Sequence, residues 1–171
     1  MEKSKKPTLN EFWPFKKFLK TNVTITNEER DQIKYMLYNF DSLSTDPTNT
    51  TTYGHYLNIL NLPILNNLKQ QILTMLDNFN LTMTNNWGQL YKKGQHMRPH
   101  MHNISLYSGV IYVDGTSTNG TYFVNSLDGD IYEHSFVQNQ LLMFPSNIIH
   151  YVPHETKDNG RIVISFNTDK K

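Results

Sequence analysis

The chain has 171 residues, a formal net charge of +1 and no cysteine. A chain of this length buries roughly 70% of its unfolded surface, so it needs neither disulfide bonds nor a structural metal for stability. The lack of cysteine excludes a zinc-thiolate site and a thiol nucleophile. The near balance of 16 basic and 15 acidic residues gives no strong nucleic-acid signal.

No signal peptide or membrane span is evident in the sequence. The basic N-terminus is followed by no apolar segment, and no apolar stretch is long enough to cross a bilayer. We therefore expect a soluble cytoplasmic protein without a membrane partner. A homo-oligomer is compatible with the sequence, which does not indicate an oligomeric state.

Two amphipathic helices are predicted after an extended lead-in over residues 1–25. The first begins at Thr26-Asn-Glu-Glu29, where a hydroxyl residue precedes a glutamate by three positions, as in a capping box. The second begins near Pro63, and residues 41–53 between the helices are predicted to form a loop. The lead-in is expected to dock on the core through Phe12, Trp13, Phe15, Phe18 and Leu19. The apolar stripe of the first helix is Ile33, Met36, Leu37 and Phe40, and that of the second is Leu65, Leu68, Ile72, Leu76 and Phe79.

From about residue 81 onwards, short β-rich segments alternate with turn signals. The segments are Trp87–Lys92, Ser105–Val113, Thr121–Asn125, Leu141–Phe144 and Arg161–Asn167. No helical pattern separates them, which is typical of an antiparallel sandwich or barrel. We predict one mainly β (α+β) domain over residues 1–171, with residues 1–80 as a helical support and residues 81–171 as a jelly-roll core that holds a metal site.

Histidines are concentrated just before the second β-rich segment, in Gln95-His-Met-Arg-Pro-His-Met-His-Asn103. Residues two apart on a strand point to the same side, so His100 and His102 could direct both imidazoles at one metal ion. The same alternation, if no bulge interrupts it, puts five further residues on the histidines' side: Ile104, Leu106, Ser108, Val110 and Tyr112.

Two later segments supply a third histidine and an arginine. An apolar strand and a Pro-Ser bend lead to His150, and Gly160-Arg-Ile-Val-Ile-Ser-Phe-Asn167 follows. As a strand, this last segment has a mostly polar face with Arg161 and Ser165, and an apolar face with Ile162, Ile164 and Phe166. Three imidazoles can hold a divalent metal such as iron with positions left open. An arginine suits the far carboxylate of a bound diacid, because it pairs bidentately and keeps its charge.

These segments together resemble the small 2OG-Fe(II) oxygenases of phage and bacterial genomes. The likeness is carried by Gly94–Val113, by Phe144-Pro-Ser-Asn-Ile-Ile-His150 and by Arg161–Asn167, which occur in the family's order. The offset of 161 − 150 = 11 residues is close to the family's spacing between its last iron ligand and its 2-oxoglutarate arginine. With Asn86-Trp87 and the preceding helix, the resemblance covers about the last two thirds of the chain.

The resemblance implies a double-stranded β-helix whose mouth holds Fe(II), and a reaction that consumes 2-oxoglutarate and O2. Succinate and CO2 would be released as an unidentified substrate is hydroxylated, in the host cytoplasm if the protein is phage-encoded. His100 would be the first ligand and His150 the distal one. The outer carboxylate of 2-oxoglutarate would be held by Arg161 and Tyr112 with Ser165 nearby, and Tyr91 is a further candidate contact.

One position departs from the family pattern. The usual triad is two histidines and a carboxylate, but the carboxylate position is occupied by His102, and no acidic residue lies between Lys93 and Val113. We favour a three-histidine site, with water or Asn103 as the alternative third ligand. Among the other histidines, His96 is expected to be an ordinary loop residue.

Several assignments depend only on position along the chain. His55, His134 and His154 are expected to be structural or surface residues, Trp87 to pack in the core, and Arg98 with the 114–120 loop to lie at the rim of the site. Two rival functions remain open: a cupin-like three-histidine metalloenzyme that does not use 2-oxoglutarate, and a non-enzymatic jelly-roll binding module. A Gly-rich phosphate loop and a nucleophile elbow are both absent from the sequence.

Overall fold

A computed structural model describes residues 18–41, 48–53, 57–158 and 160–171. Two α-helices lie in this part of the chain, α1 (Asn27–Asp41) and α2 (Asn66–Asp77), with 3-10 turns at Ile59–Asn61 and Pro63–Leu65 before α2. The strands are β1 (Leu19–Asn22), β2 (Thr50–Thr51), β3 (Leu81–Tyr91), β4 (Met97–His100), β5 (Tyr107–Gly115), β6 (Thr121–Val124), β7 (Ile131–His134), β8 (Gln140–Pro145), β9 (Ile149–Val152) and β10 (Arg161–Lys170).

These strands form two antiparallel sheets. The larger sheet has the order β1-β8-β5-β10-β3-β2 and the smaller one β4-β9-β6-β7. Because β10 lies between β3 and β5, the residues that it contributes stand at the centre of the larger sheet. The arrangement is that of a jelly roll, and the prediction of a mainly β core of antiparallel strands is confirmed.

Two apolar clusters cover opposite faces of the larger sheet. One packs the helices onto the sheet and includes Ile33, Ile72 and Ile164. The other fills the space between the two sheets and includes Phe123 and Val163. Alternate residues of β10 therefore enter different clusters, as the period of two predicts. Val163 and the β10 residues of the same parity face the smaller sheet, so a cavity between the two sheets would be lined by this face.

The first helix begins where the sequence predicts. The Thr26 N–H donates to Glu29 Oε2 (2.8 Å) and the Glu29 N–H donates to Thr26 Oγ1 (3.1 Å), which is a capping box. The second helix begins at Asn66, after a 3-10 turn that starts at Pro63. It ends at Asp77, so Phe79, which we assigned to its apolar stripe, lies beyond the helix and is exposed.

The strand predictions were right for the long segments and incomplete for the short ones. The segment predicted at residues 87–92 is part of β3, which begins at Leu81, and the last strand extends to Lys170. Four strands were not predicted: β1, β2, β7 and β9. The strand expected to run from His100 to Tyr112 is divided, since β4 ends at His100 and β5 begins at Tyr107; the four strands that were not predicted are short. Each has four residues or fewer, which is too short for alternation to be distinguished from chance.

The lead-in and the first loop are only partly described. Phe18 packs edge-on against Phe123 with ring centroids 5.1 Å apart, so this aromatic docks on the core as expected. Phe12, Trp13 and Phe15 lie outside the described residues, as do residues 42–47. In the part of the chain that the structure covers, neither helix has the length and apolarity that crossing a bilayer demands.

Candidate metal and co-substrate site

His100 and His150 are brought together by strand pairing. They are directly opposite one another in the register of β4 and β9, and their ring centroids are 4.3 Å apart. Residues that face each other across an antiparallel pair have Cβ atoms about 5 Å apart, so this contact follows from the sheet itself. His150 is buried, with 7% of its surface exposed.

His102 reaches the same place by a different route from the one predicted. β4 ends at His100, and the chain then turns before β5 begins in the other sheet. The alternation therefore does not continue through this segment: Ile104 and Leu106 are exposed, whereas Ser108 lies in the central cleft. The His102 backbone N–H donates to the carbonyl oxygen of Ser146 (2.8 Å), which fixes the turn beside the other two histidines.

Three imidazoles converge at this point. One nitrogen from each of His100, His102 and His150 lies within 4.8 Å of the others, and no carboxylate of the described residues joins this group. Imidazole nitrogens that share one metal ion are about 3 Å apart, so the three rings would have to move closer together to bind one. Asn103, the alternative third ligand, is exposed in the turn.

The ring nitrogens of two of these histidines are oriented by their own backbone. Nδ1 of His100 lies 2.8 Å from the carbonyl oxygen of Arg98, and Nδ1 of His150 lies 2.9 Å from that of Ile148. A carbonyl oxygen only accepts hydrogen bonds, so each Nδ1 carries the proton and each Nε2 has a free lone pair. In this tautomer Nε2 is free to bind a metal ion.

Burial keeps two of the imidazoles neutral. It lowers the pKa of His150 to about 3 and that of His102 to about 4, and the nearby His100 contributes to both shifts. A neutral imidazole is the form that binds a metal. Both imidazoles therefore stay uncharged at pH values well below the ordinary histidine range.

A narrow cleft between the sheets leads from the histidines to Arg161. Its walls include Gln89, Ser165 and Thr121. Arg161 is 1% exposed, and its Nη1 donates to the carbonyl oxygens of Asn119 (2.9 Å) and Gly120 (2.6 Å). The 114–120 loop, which we predicted at the rim, therefore holds this arginine at the inner end of the cleft.

The guanidinium of Arg161 lacks a counter-charge within the described residues. None of their carboxylates forms an ion pair with it, and its Nε has no hydrogen-bond partner. The ring of Tyr91 lies 4.8 Å from the guanidinium carbon. Burial of a cation without an anion is strongly unfavourable. The inner end of the cleft is therefore suited to a bound anion.

The remaining residues predicted around Arg161 lie in different positions. Tyr91 and Ser165 line the cleft, and the Ser165 hydroxyl donates to Gln89 Oε1 (3.1 Å). The Tyr112 hydroxyl lies 2.9 Å from Thr121 Oγ1, and it is Thr121 that lines the cleft. Burial raises the pKa of both tyrosines to about 12, so both hydroxyls keep their protons.

Sequence reasoning missed Gln89 and Thr121 as cleft residues and did not foresee that the buried Trp87 also lines the cleft. Trp87, Gln89 and Tyr91 alternate along β3 and all three line the cleft. Their period of two was visible in the sequence, but the alternation was not extended to them. Trp87 is buried, as a core residue would be, yet it forms a wall of the cleft, with its ring 5.9 Å from that of His102. Thr121 had no comparable signal.

A larger cavity opens on the outer side of the histidines. Its volume is about 700 Å³, within the usual range for ligand pockets, and His100, His102 and Trp87 belong to both cavities. Arg98 lines this outer cavity, as expected for a rim residue. Among the described residues, the other histidines lie outside the group of three, and His96 stacks on His154 at 4.2 Å. His55 is not one of the described residues.

Several crystal structures share this fold at low sequence identity. HygX from Streptomyces hygroscopicus, with nickel and 2-oxoglutarate bound, is 10% identical over 93% of this chain and 84% of its own, with a TM-score of 0.64. A prolyl-4-hydroxylase from Pseudomonas putida is 12% identical over 93% of this chain and 95% of its own, with a TM-score of 0.62.

A third structure is the viral collagen prolyl hydroxylase of Paramecium bursaria Chlorella virus-1 in its 2-oxoglutarate complex. It is 9% identical over 90% of this chain and 96% of its own, with a TM-score of 0.60. No protein-family model and no curated protein matches the sequence. The structural similarities show that this chain has the fold of 2-oxoglutarate oxygenases, whereas its chemistry has to be argued from its own residues.

Proposed function

We propose that this protein is an Fe(II)- and 2-oxoglutarate-dependent oxygenase. One observation carries the proposal: a buried arginine with no counter-charge among the described residues stands at the inner end of a cleft that opens on three converging imidazoles. A dicarboxylic acid that chelates a metal with one end and pairs with Arg161 at the other would use both features. The phage or bacterial subtype indicated by the sequence stays a prediction.

His100, His102 and His150 would hold the metal ion. The free Nε2 lone pairs of His100 and His150, which follow from the protons on their Nδ1 atoms, fit this role. Bound iron with 2-oxoglutarate supplies the activation of O2 for hydroxylation, with release of succinate and CO2. Three neutral ligands leave the site one negative charge poorer than two histidines and a carboxylate do.

Arg161 would bind the outer carboxylate of 2-oxoglutarate. Its Nη1 is already held by two carbonyl oxygens, so the guanidinium is fixed before the anion arrives. The Tyr91 ring packs beside the guanidinium. Ser165 would add a hydroxyl to this carboxylate, and Tyr112 would act through Thr121, to which it is hydrogen-bonded.

The substrate would approach through the outer cavity. His100 and His102 line this cavity, whereas Arg161 lines only the inner cleft, so a substrate there would be close to the metal without contacting the arginine. The similar structures bind chemically unrelated molecules: HygX was crystallised with hygromycin B, and a Trichoplax adhaerens prolyl hydroxylase with a peptide of hypoxia-inducible factor. The fold therefore does not define the substrate of this chain.

The first test is the visible spectrum of the protein without oxygen, after addition of Fe(II) and then of 2-oxoglutarate. We expect a weak charge-transfer band that requires both additions. The variant His150→Ala should lose the band, because its metal binding is weakened. In the variant Arg161→Ala, the 2-oxoglutarate concentration that gives half of the maximal band intensity should rise by about 10-fold or more. The reason is that a charge-assisted bidentate pair is lost.

Matched controls are available in the same molecule. His154 is an exposed histidine and Arg98 an exposed arginine of the outer cavity, and both His154→Ala and Arg98→Ala should leave the band unchanged. If the wild type binds Fe(II) but 2-oxoglutarate changes nothing, the proposal fails. If Fe(II) does not bind at all, a non-enzymatic jelly-roll binding module becomes the better interpretation.

A second candidate function is a three-histidine metalloenzyme that does not use 2-oxoglutarate. The donor set favours it, because the metal-binding group contains three histidines and no carboxylate of the described residues. This alternative leaves Arg161 to bind an acidic substrate directly. The same titration separates the two functions, since only the first predicts a spectral change on addition of 2-oxoglutarate.

A further inference from the structure

A chain of buried polar side chains leads from the larger sheet to His102. Ser146 Oγ lies 2.8 Å from Ser108 Oγ, which lies 2.8 Å from Asn167 Oδ1, and Asn167 Nδ2 lies 3.5 Å from His102 Nδ1. Ser146, Ser108 and Asn167 are all at least 96% buried. Side chains that are buried to this degree interact with one another rather than with solvent, so the chain ends at the imidazole.

These side chains supply a hydrogen-bond partner for Nδ1 of His102, which has no backbone carbonyl oxygen of the described residues in that role. His100 and His150 each direct Nδ1 at the carbonyl oxygen two residues earlier. His102 follows the end of β4 in a turn, and its Nδ1 faces the Asn167 amide instead. The side chain of Asn167 therefore stands where a backbone carbonyl orients the other two rings.

The direction of the hydrogen bonds determines which nitrogen of His102 can bind a metal. When the amide N–H of Asn167 faces the ring, Nδ1 accepts and the ring proton is on Nε2, which then has no free lone pair. When the amide is turned by 180°, Oδ1 accepts from Nδ1–H and the Nε2 lone pair is free. The turned amide donates to Ser108 Oγ, and the Ser108 hydroxyl donates to Ser146, so every partner stays satisfied.

We propose that Asn167 is a positioning residue that decides whether His102 becomes the third metal ligand, by setting its tautomer through the Ser146–Ser108–Asn167 chain. The inference rests on the proposed metal site. In the structure the amide nitrogen faces the ring. Metal binding through Nε2 therefore requires the amide to turn over and the chain of hydrogen bonds to reverse its direction.

The test is a titration with Co(II) followed by its visible absorption, together with ¹⁵N-histidine NMR of the Zn(II)-loaded protein. Partners that orient a metal-binding histidine are worth about 10- to 100-fold in metal affinity. Asn167→Ala should therefore weaken Co(II) binding by about 10-fold or more. Asn167→Asp should bind Co(II) at least as tightly as the wild type, because a carboxylate can only accept and so keeps the proton on Nδ1.

The NMR spectrum reports the tautomer itself, which a purely structural role of Asn167 would not change. In the Zn(II)-loaded wild type and in Asn167→Asp, His102 should show a protonated Nδ1. Asn85→Ala is the matched control: Asn85 pairs with Asn167 in the β3–β10 register but lines a separate cleft, so its loss should leave Co(II) affinity unchanged.

Two results would overturn the inference: Co(II) affinity in Asn167→Ala equal to that of the wild type, or Asn167→Asp as weak as Asn167→Ala. A wild type that binds no Co(II) would instead contradict the proposed metal site, so the two failures are distinguishable. If Asn167→Ala does not fold, the comparison of Asn167→Asp with the wild type and the tautomer of His102 still decide the question.

Discussion

His134 is a buried histidine that the proposed site does not use. It lies on β7 with 6% of its surface exposed, and its Nε2 has no hydrogen-bond partner among the described residues. Burial lowers its pKa from the ordinary value of 6.5 to about 4, and the positive charge of Lys20 adds to the shift. At pH 5, for example, His134 is therefore neutral in the folded protein, whereas it carries a proton in the unfolded chain.

This shift predicts an acid-sensitive contribution to stability. Between pH 6.5 and about 4 the unfolded state binds a proton at His134 that the folded state does not, so the free energy of unfolding falls as the pH is lowered through this range. His134→Phe removes the titrating group and should reduce that loss. Urea unfolding of the metal-free protein at pH 7, 6 and 5 measures it.

The control for this experiment is His154→Phe, which changes an exposed histidine. It should retain the pH dependence of the wild type. Buried His102 and His150 contribute in the same direction, so a reduced slope rather than a flat one is expected in His134→Phe. Equal slopes in His134→Phe and the wild type would show that this histidine does not carry the effect.

At the residue scale, the sequence identified the residues with distinctive chemistry. The three histidines and Arg161 stand out because few other residue types bind metals or buried anions, and their order along the chain follows a known pattern. The reason given for His102 was wrong, because it lies in a turn and not on a strand. Gln89 and Thr121 are chemically ordinary, so only the folded structure identifies them as cleft residues.

Glu29 joins the two helices at the element scale. Its Oε2 accepts from the Thr26 N–H at the start of α1, and its Oε1 accepts from the Leu68 N–H in the first turn of α2 (3.3 Å). Glu29 is 3% exposed. One carboxylate therefore satisfies unpaired backbone donors at the N-terminal ends of both helices.

Loss of this shared acceptor should destabilise the protein. Glu29→Gln keeps the size of the side chain but replaces one accepting oxygen by a donor, which leaves a backbone N–H without a partner. The expected cost is about 1–3 kcal/mol in the free energy of unfolding, measured by urea denaturation. The exposed Glu28 in the same helical turn gives the control Glu28→Gln, and equal effects of both changes would contradict the prediction.

A helix or strand could be predicted when the residues that determine it are neighbours in the sequence. The capping box that starts α1 is formed by neighbouring residues, so the sequence determined it. Short strands such as β4 and β9 exist because partners elsewhere in the chain supply their hydrogen bonds. The turn after His100, which takes the chain from the smaller sheet to the larger one, had no distinctive signal of its own.

At the scale of the whole molecule, the protein should be folded with or without metal. Its two apolar clusters consist of hydrophobic side chains that need no ion to pack, so chelation by EDTA should leave the far-ultraviolet circular dichroism unchanged. Zn(II) at 100 times its Kd adds about 2.7 kcal/mol to stability. At about 2–4 °C per kcal/mol for a chain of this size, the Tm should rise by roughly 5–11 °C.

His150→Ala tests whether this rise comes from the proposed site. The variant should lose most of the increase in Tm, whereas His154→Ala should keep it. Unfolding of the wild type by EDTA alone would show that the metal is structural, contrary to what the length of the chain predicts. Differential scanning calorimetry of the three proteins gives the comparison directly.

The central position of β10 bears on how the protein is made. The last residue of β5, Gly115, leaves the ribosome 46 residues before Arg161, the first residue of β10, a delay of several seconds at synthesis rates of about 5–20 residues per second. During that interval the edges of β3 and β5 that β10 later covers are unpaired, and the nascent chain is open to chaperones and to aggregation. Arg161 and Asn167 arrive with this strand, so the anion site and the positioning amide form in the same step that closes the sheet.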